Sequence, residues 1–205
     1  MIIPLCIYES RFDMGRPRVF NEDHVLRGVM KIFWRKGYMA TSAEDLVKAS
    51  GLGRGSLYNA FSNKETLFER ALEYYLVHTR KVASVLSDES SSATVAIQTV
   101  LISTLESEAL IKMGCLVTNT AIERAGHDKR ISQILQRHFD LLRKALVLAI
   151  ERGQANNEIN SELNPTIAAE LLLTVLQGLR VQAKSGTDSA ILLQTIDQTL
   201  NLYRS

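Results

Sequence analysis

Apolar residues recur along this chain at helical spacing, and glycines and polar capping clusters divide them into successive runs. Strand-like alternation bounded by turns is not evident, and only Pro4, Pro17 and Pro165 interrupt the helical potential. The pattern predicts an all-α fold of about nine helices. The first starts at Asn21, carries Glu22 and Asp23 in its first turn, places Val25, Val29, Ile32 and Phe33 on one face, and stops at Gly37. The second follows Thr41, with Glu44 completing a capping box, and stops at Gly51. The third covers residues 54–60; the fourth begins at Ser62, again with Glu65 three residues on, and runs to about residue 86.

A polar loop at 88–92 then leads to helices at 93–111, 115–124 and 128–152, the last ending at Gly153. Asn164-Pro165 opens an eighth helix reaching residue 184, and a ninth follows Gly186, over 188–203. Two short helices joined by a tight glycine turn, as at 41–60, form the helix-turn-helix, whose second helix is sized for the DNA major groove. Residues 1–14 read as a flexible tail, 15–64 as the helix-turn-helix domain, and 65–205 as a second helical domain.

Charge sharpens this division. The net charge is only +2, but residues 15–64 hold nine Lys/Arg against four Asp/Glu, whereas 65–205 hold fourteen against sixteen. A basic front and a slightly acidic rear suit a DNA-facing module joined to one that faces something else. An apolar content of 46% with 6% aromatics is ordinary for a soluble helical protein. Two cysteines, Cys6 and Cys115, are too few for a disulfide framework, so a reducing cytoplasm is expected. The apolar opening lacks a basic leader, and no stretch reaches the ~18 uninterrupted apolar residues of a membrane span. His24, His78, His127 and His138 do not cluster with other ligand types, and no phosphate loop or Ser/His/Asp signature occurs. The expectation is a protein that is not an enzyme and has no metal or cofactor.

Packing through Leu46, Leu52 and Leu57 leaves Arg54, Gly55, Ser56, Tyr58 and Asn59 outward. Arg54 suits guanine, Asn59 adenine, and Ser56 a base edge or a phosphate. Tyr58 suits a phosphate oxygen or a thymine methyl, and Gly55 permits close approach to the groove. Thr41, Ser42 and Lys64, at helix N-termini, are the candidate phosphate clamps. Arg16 and Arg18 form an extended basic arm suited to a narrow minor groove. In the last two helices, Leu172, Val175, Leu176, Leu179, Ile191, Ile196 and Leu200 form apolar stripes. These stripes would join two copies through a four-helix interface, or else belong to the monomer core. Two heads spaced by about 34 Å would read a palindrome.

Phe33, Gly37, Thr41-Ser42, Ala49, Gly51, Gly55, Leu57-Tyr58, Phe61, Lys64 and Leu67 together resemble the TetR/AcrR family of transcriptional regulators. The resemblance covers 15–70 and, through the segments at 114–123, 151–155 and 176–184, nearly all of 15–205. One departure is Ala60, where many members carry His. The resemblance implies a homodimeric repressor of double-stranded operator DNA, released by an unknown small effector bound in the rear domain. Leu101, Leu105, Cys115, Thr118, Asn119, Ile122, Phe139, Leu142 and Leu171 are the candidate pocket residues. Thr118 and Asn119 stand out because polar groups at a buried turn need partners that a ligand would supply. Some oxidant- and electrophile-sensing members carry a similar Gly-Cys-Leu segment, and a helix start lowers a thiol's pKa. Cys115 is therefore either a sensor or a small buried hydrophobe. A helical binding protein with a vestigial helix-turn-helix is the alternative from another class, and an activator shares every feature of a repressor.

Overall fold

Asn21, Ser42, Asn63, Ser92, Ser107, Asp128, Asn164 and Asp188 each offer a side-chain oxygen to a first-turn amide of the helix that follows. In the computed structural model, which describes residues 20–204, the helices are α1 (Glu22–Lys36), α2 (Ala43–Ser50), α3 (Arg54–Phe61), α4 (Lys64–Thr79), α5 (Lys81–Leu86), α6 (Ala93–Glu106), α7 (Glu108–Met113), α8 (Leu116–Arg124), α9 (Lys129–Ala155), α10 (Pro165–Lys184) and α11 (Ser189–Asn201). Among the described residues the extended pairing is one isolated antiparallel bridge, Ile159 with Arg204. The expected all-α architecture is what the chain adopts.

Two expected helices are divided. Arg80 separates α4 from α5: its angles stay helical, but its amide makes only a long, 3.4 Å bond to the Val77 carbonyl, three residues back. Ser107 is extended and caps Leu110, which makes α7 a new helix rather than the end of α6. The α2 cap is Ser42 with Asp45, and the α4 cap is Asn63, each one residue later than expected. Gly153 does not end α9. It lies inside the helix where Ile159 packs so closely that a Cβ would sit 2.7 Å from that side chain.

Two apolar clusters hold these elements. In one, Val29 and Phe33 of α1, Leu46, Leu57, and Phe68 and Leu72 of α4 pack with Leu116 and Val117 of α8 and Ile131 and Ile134 of α9. The other joins α5, α6, the rest of α9, α10 and α11 around Ile97, Leu142, Ala149, Leu172 and Ile196. Gly28 brings α1 and α2 together, since a Cβ there would lie 2.2 Å from the Ala49 carbonyl oxygen.

Candidate nucleic-acid interface and adjoining cavity

Gly51, at φ +68°, occupies the left-handed region and turns the chain sharply between α2 and α3. Leu57 and Phe61 anchor α3 in the core, which fixes the face it turns away. Arg54, Gly55, Ser56 and Asn59 are exposed on that face and Tyr58 is half-buried. A Cβ at Gly55 would meet nothing within 4 Å, so the bare backbone there serves no packing inside the molecule. Lys48, in the last turn of α2, adds an exposed cation that the sequence reading did not single out.

Each expected phosphate clamp has a partner inside the molecule. Thr41 is buried; its hydroxyl donates to the Gly37 carbonyl at 2.6 Å and its amide to Tyr38. Ser42 is exposed, but its amide and hydroxyl both donate to the Asp45 carboxylate, at 2.9 and 2.8 Å. Lys36 and these Ser42 donors hold the Asp45 carboxyl far below its ordinary range. The Lys64 ammonium lies 4.5 Å from the centre of the Tyr38 ring, and burial pushes its pKa down. Arg16 and Arg18, like the expected tail at 1–14, lie outside the described residues.

Tyr38 is the centre of a joint whose members lie too far apart along the chain to be paired by sequence pattern. Its ring packs on Phe33 and Phe68, and the Arg124 guanidinium approaches it at 4.1 Å. Glu123, one residue earlier on α8, accepts hydrogen bonds from the Tyr38 and Met39 amides at 2.9 and 2.8 Å. Trp34 donates its indole N–H to the Gly114 carbonyl at 2.7 Å. The loop between α1 and α2 is thus bound to α8 and its approach, 80 and more residues away in sequence.

On another side of α8 lies a cavity of about 120 Å³, lined by Cys115, Thr118, Asn119, Ile122, Arg180 and Lys184, with Gly114 and Val181. Four of the nine expected pocket residues meet here. Thr118 and Asn119 nevertheless find protein partners. The Thr118 hydroxyl donates to Gln177 at 2.6 Å, and the Asn119 amide donates to the Met113 carbonyl at 2.9 Å while accepting from Lys184 at 3.3 Å. Ile122 is 80% exposed and forms the rim. Leu101 and Leu142 are instead sealed in the second core, with Leu105 packed against it, while Phe139 is half-buried between both clusters. Leu171 points to solvent.

Cys115 is buried, with Arg180 Nη1 3.5 Å and Tyr75 Oη 3.7 Å from its Sγ. Burial pushes the thiol's pKa up, but Arg180 and the donors of Thr118 and Tyr75 outweigh it and the net direction is down. Burial and the same guanidinium hold His138 at about 4, so its imidazole is neutral near pH 7. Arg180 Nε and Gln177 Nε2 are buried without a hydrogen-bond partner.

The expected interface stripe needs a new register. Leu172, Leu176, Leu179, Ile196 and Leu200 are buried in their own chain's core, Val175 is half-buried, and only Ile191 among the seven is exposed. The outward stripe of α10 is Ile167, Leu171, Thr174, Gly178 and Val181, and Leu193 accompanies Ile191 on α11. The sequence shows apolar residues on both faces of α10, and nothing in their period says which face the monomer covers. Among the described residues, no three His, Cys, Asp or Glu side chains are grouped to hold a metal. No helix there is long and apolar enough to cross a membrane.

Residues 25–71 match the family model described as bacterial regulatory proteins, tetR family, and residues 95–198 match a tetracyclin repressor-like C-terminal domain. The transcriptional repressor ComR of Escherichia coli K12 is 31% identical over 97% of this chain and 94% of its own length. The repressor DhaR of Mycobacterium sp. GP1 is 26% identical over 78% of this chain and 81% of its own. A cysteine mutant of the regulator CifR, solved with 26-bp double-strand operator DNA, superposes with a TM-score of 0.79. It shares 30% identity and covers 92% of this chain and all of that one.

Proposed function

The chain belongs to the TetR family of bacterial regulatory proteins, and we propose that it is a cytoplasmic transcriptional repressor that inserts α3 into the major groove of operator DNA. The observation that carries this is the outward face of α3. Arg54, Gly55, Ser56 and Asn59 stand exposed beside a half-buried Tyr58, while Leu57 and Phe61 lock the helix from behind. The repressor names of ComR and DhaR and the operator complex of CifR support the same reading. Arg54 and Asn59 read bases; Ser56, Tyr58 and Lys48 face base edges or backbone.

Two copies pair through the outward stripes of α10 and α11, with Leu171, Val181 and Ile191 at the contact. Gly178, where a Cβ would find open space, leaves room for a partner helix. A small effector bound beside α8 shifts the heads through the Glu123 contact with the α1–α2 loop.

The test is operator binding by gel shift on DNA upstream of the chain's own gene, over a series of salt concentrations. Affinity falls steeply with salt, and Arg54→Ala costs about 1–3 kcal/mol, of order tenfold or more. Salt-independent binding, or an Arg54→Ala variant equal to the parent, refutes the reading. A second reading is favoured by the Arg180–Cys115 distance of 3.5 Å: the thiolate senses electrophiles. Mass spectrometry after mild electrophile treatment tests it; an unmodified Cys115 in protein that has lost DNA binding refutes it.

A further inference from the structure

We infer that the cavity between α8 and α10 is a binding site for a small carboxylate anion, held by Arg180 and Lys184. The inference deepens the effector reading above, and rests on it for its consequence at DNA. Arg180 carries the argument. Its residue is only 7% exposed; its Nη1 makes two long contacts, to Cys115 Sγ and Gln177 Oε1 at 3.5 Å each, its Nε has no partner, and no carboxylate among the described residues pairs with it. A buried guanidinium held by two long contacts, with Nε idle, has donors left for a ligand, and a guanidinium fork is matched best by a carboxylate.

The surroundings define the rest of the ligand. Lys184, exposed and 3.3 Å from Asn119, adds a second cation at the mouth. Ile122 offers apolar carbon to a short tail. A volume of about 120 Å³ equals the space of about four waters, which admits an acid of a few carbons and excludes a drug-sized molecule. Occupancy acts on α8, the helix whose Glu123 holds the α1–α2 loop.

Calorimetry on the full chain, at constant ionic strength in chloride, tests this with acetate, propionate and butyrate. Their neutral amides, and phosphate and sulfate, form the other arms. At least one acid binds saturably at one site per chain, the amides and inorganic anions do not, and Arg180→Gln weakens the acid at least about tenfold. Lys184→Gln, at an exposed position, weakens it a few-fold without lowering the melting temperature. If Arg180→Gln fails to fold, the acid–amide comparison on the native chain decides. No acid binding, equal binding of acid and amide, binding of inorganic anions alone, or acid binding untouched by Arg180→Gln overturns the inference. Operator affinity measured without acid reads the repressor proposal separately, so the two failures are distinguishable.

Discussion

Replacing Glu123 by alanine removes both acceptors that hold the α1–α2 loop to α8. Bonds to a charged acceptor contribute about 1.5–3 kcal/mol each when their donors stay dry. Met39 is exposed, so water replaces its lost partner at small cost, whereas the half-buried Tyr38 amide is re-solvated poorly. One bond then counts nearly in full and the other only in part, for a loss of about 2–3 kcal/mol. In a chain of this length that is a fall of about 4–12 °C in melting temperature. Glu123→Gln keeps an oxygen for one amide but turns an N–H₂ toward the other, so about half the loss is expected. Thermal and urea melts on both variants measure it. A Glu123→Ala protein that melts within about 1 °C of the parent refutes the reasoning.

Three further outcomes are expected. Gly28→Ala drives a Cβ to 2.2 Å from a backbone oxygen that cannot swing aside, and urea melts register a loss of about 1–3 kcal/mol or more. Leu171→Glu with Val181→Glu yields a folded monomer by light scattering, with operator affinity lost; a stable dimer would refute the α10 register. His138 is held at about 4 against an ordinary 6.5, so the unfolded chain takes up its proton first. Stability therefore falls as pH drops from about 6.5 through 4, by of order 2–3 kcal/mol. Urea melts at both ends of that window show the slope, and His138→Phe flattens it.

Local signals carried the fold well. Asn21, Asn164-Pro165, Gly37 and Gly51 mark their helix boundaries because caps and left-handed turns are decided by a few adjacent residues. The exposed face of α3 was equally legible, since Leu57 and Phe61 set its phase. What failed needed distant partners. Thr41 looks like a clamp until Gly37 takes its hydroxyl, and Leu176 looks like an interface residue until α6 and α9 cover it. Glu123 and Arg180 are undistinguished charges in their helices, and gain meaning only from Tyr38 and Cys115, 85 and 65 residues away.

The apolar cluster behind α3 is completed by Leu116, Val117, Ile131 and Ile134, which come from the far side of the presumed seam at Lys64–Glu65. Anyone exchanging recognition heads between relatives inherits that geography. A cut after residue 64 separates Phe33 and Leu57 from the floor they stand on, and the graft would show greasy surface to solvent. A workable chimera moves residues 20–76 together with 115–135, so that substitutions in the reading half and the responding half must be accepted as matched sets.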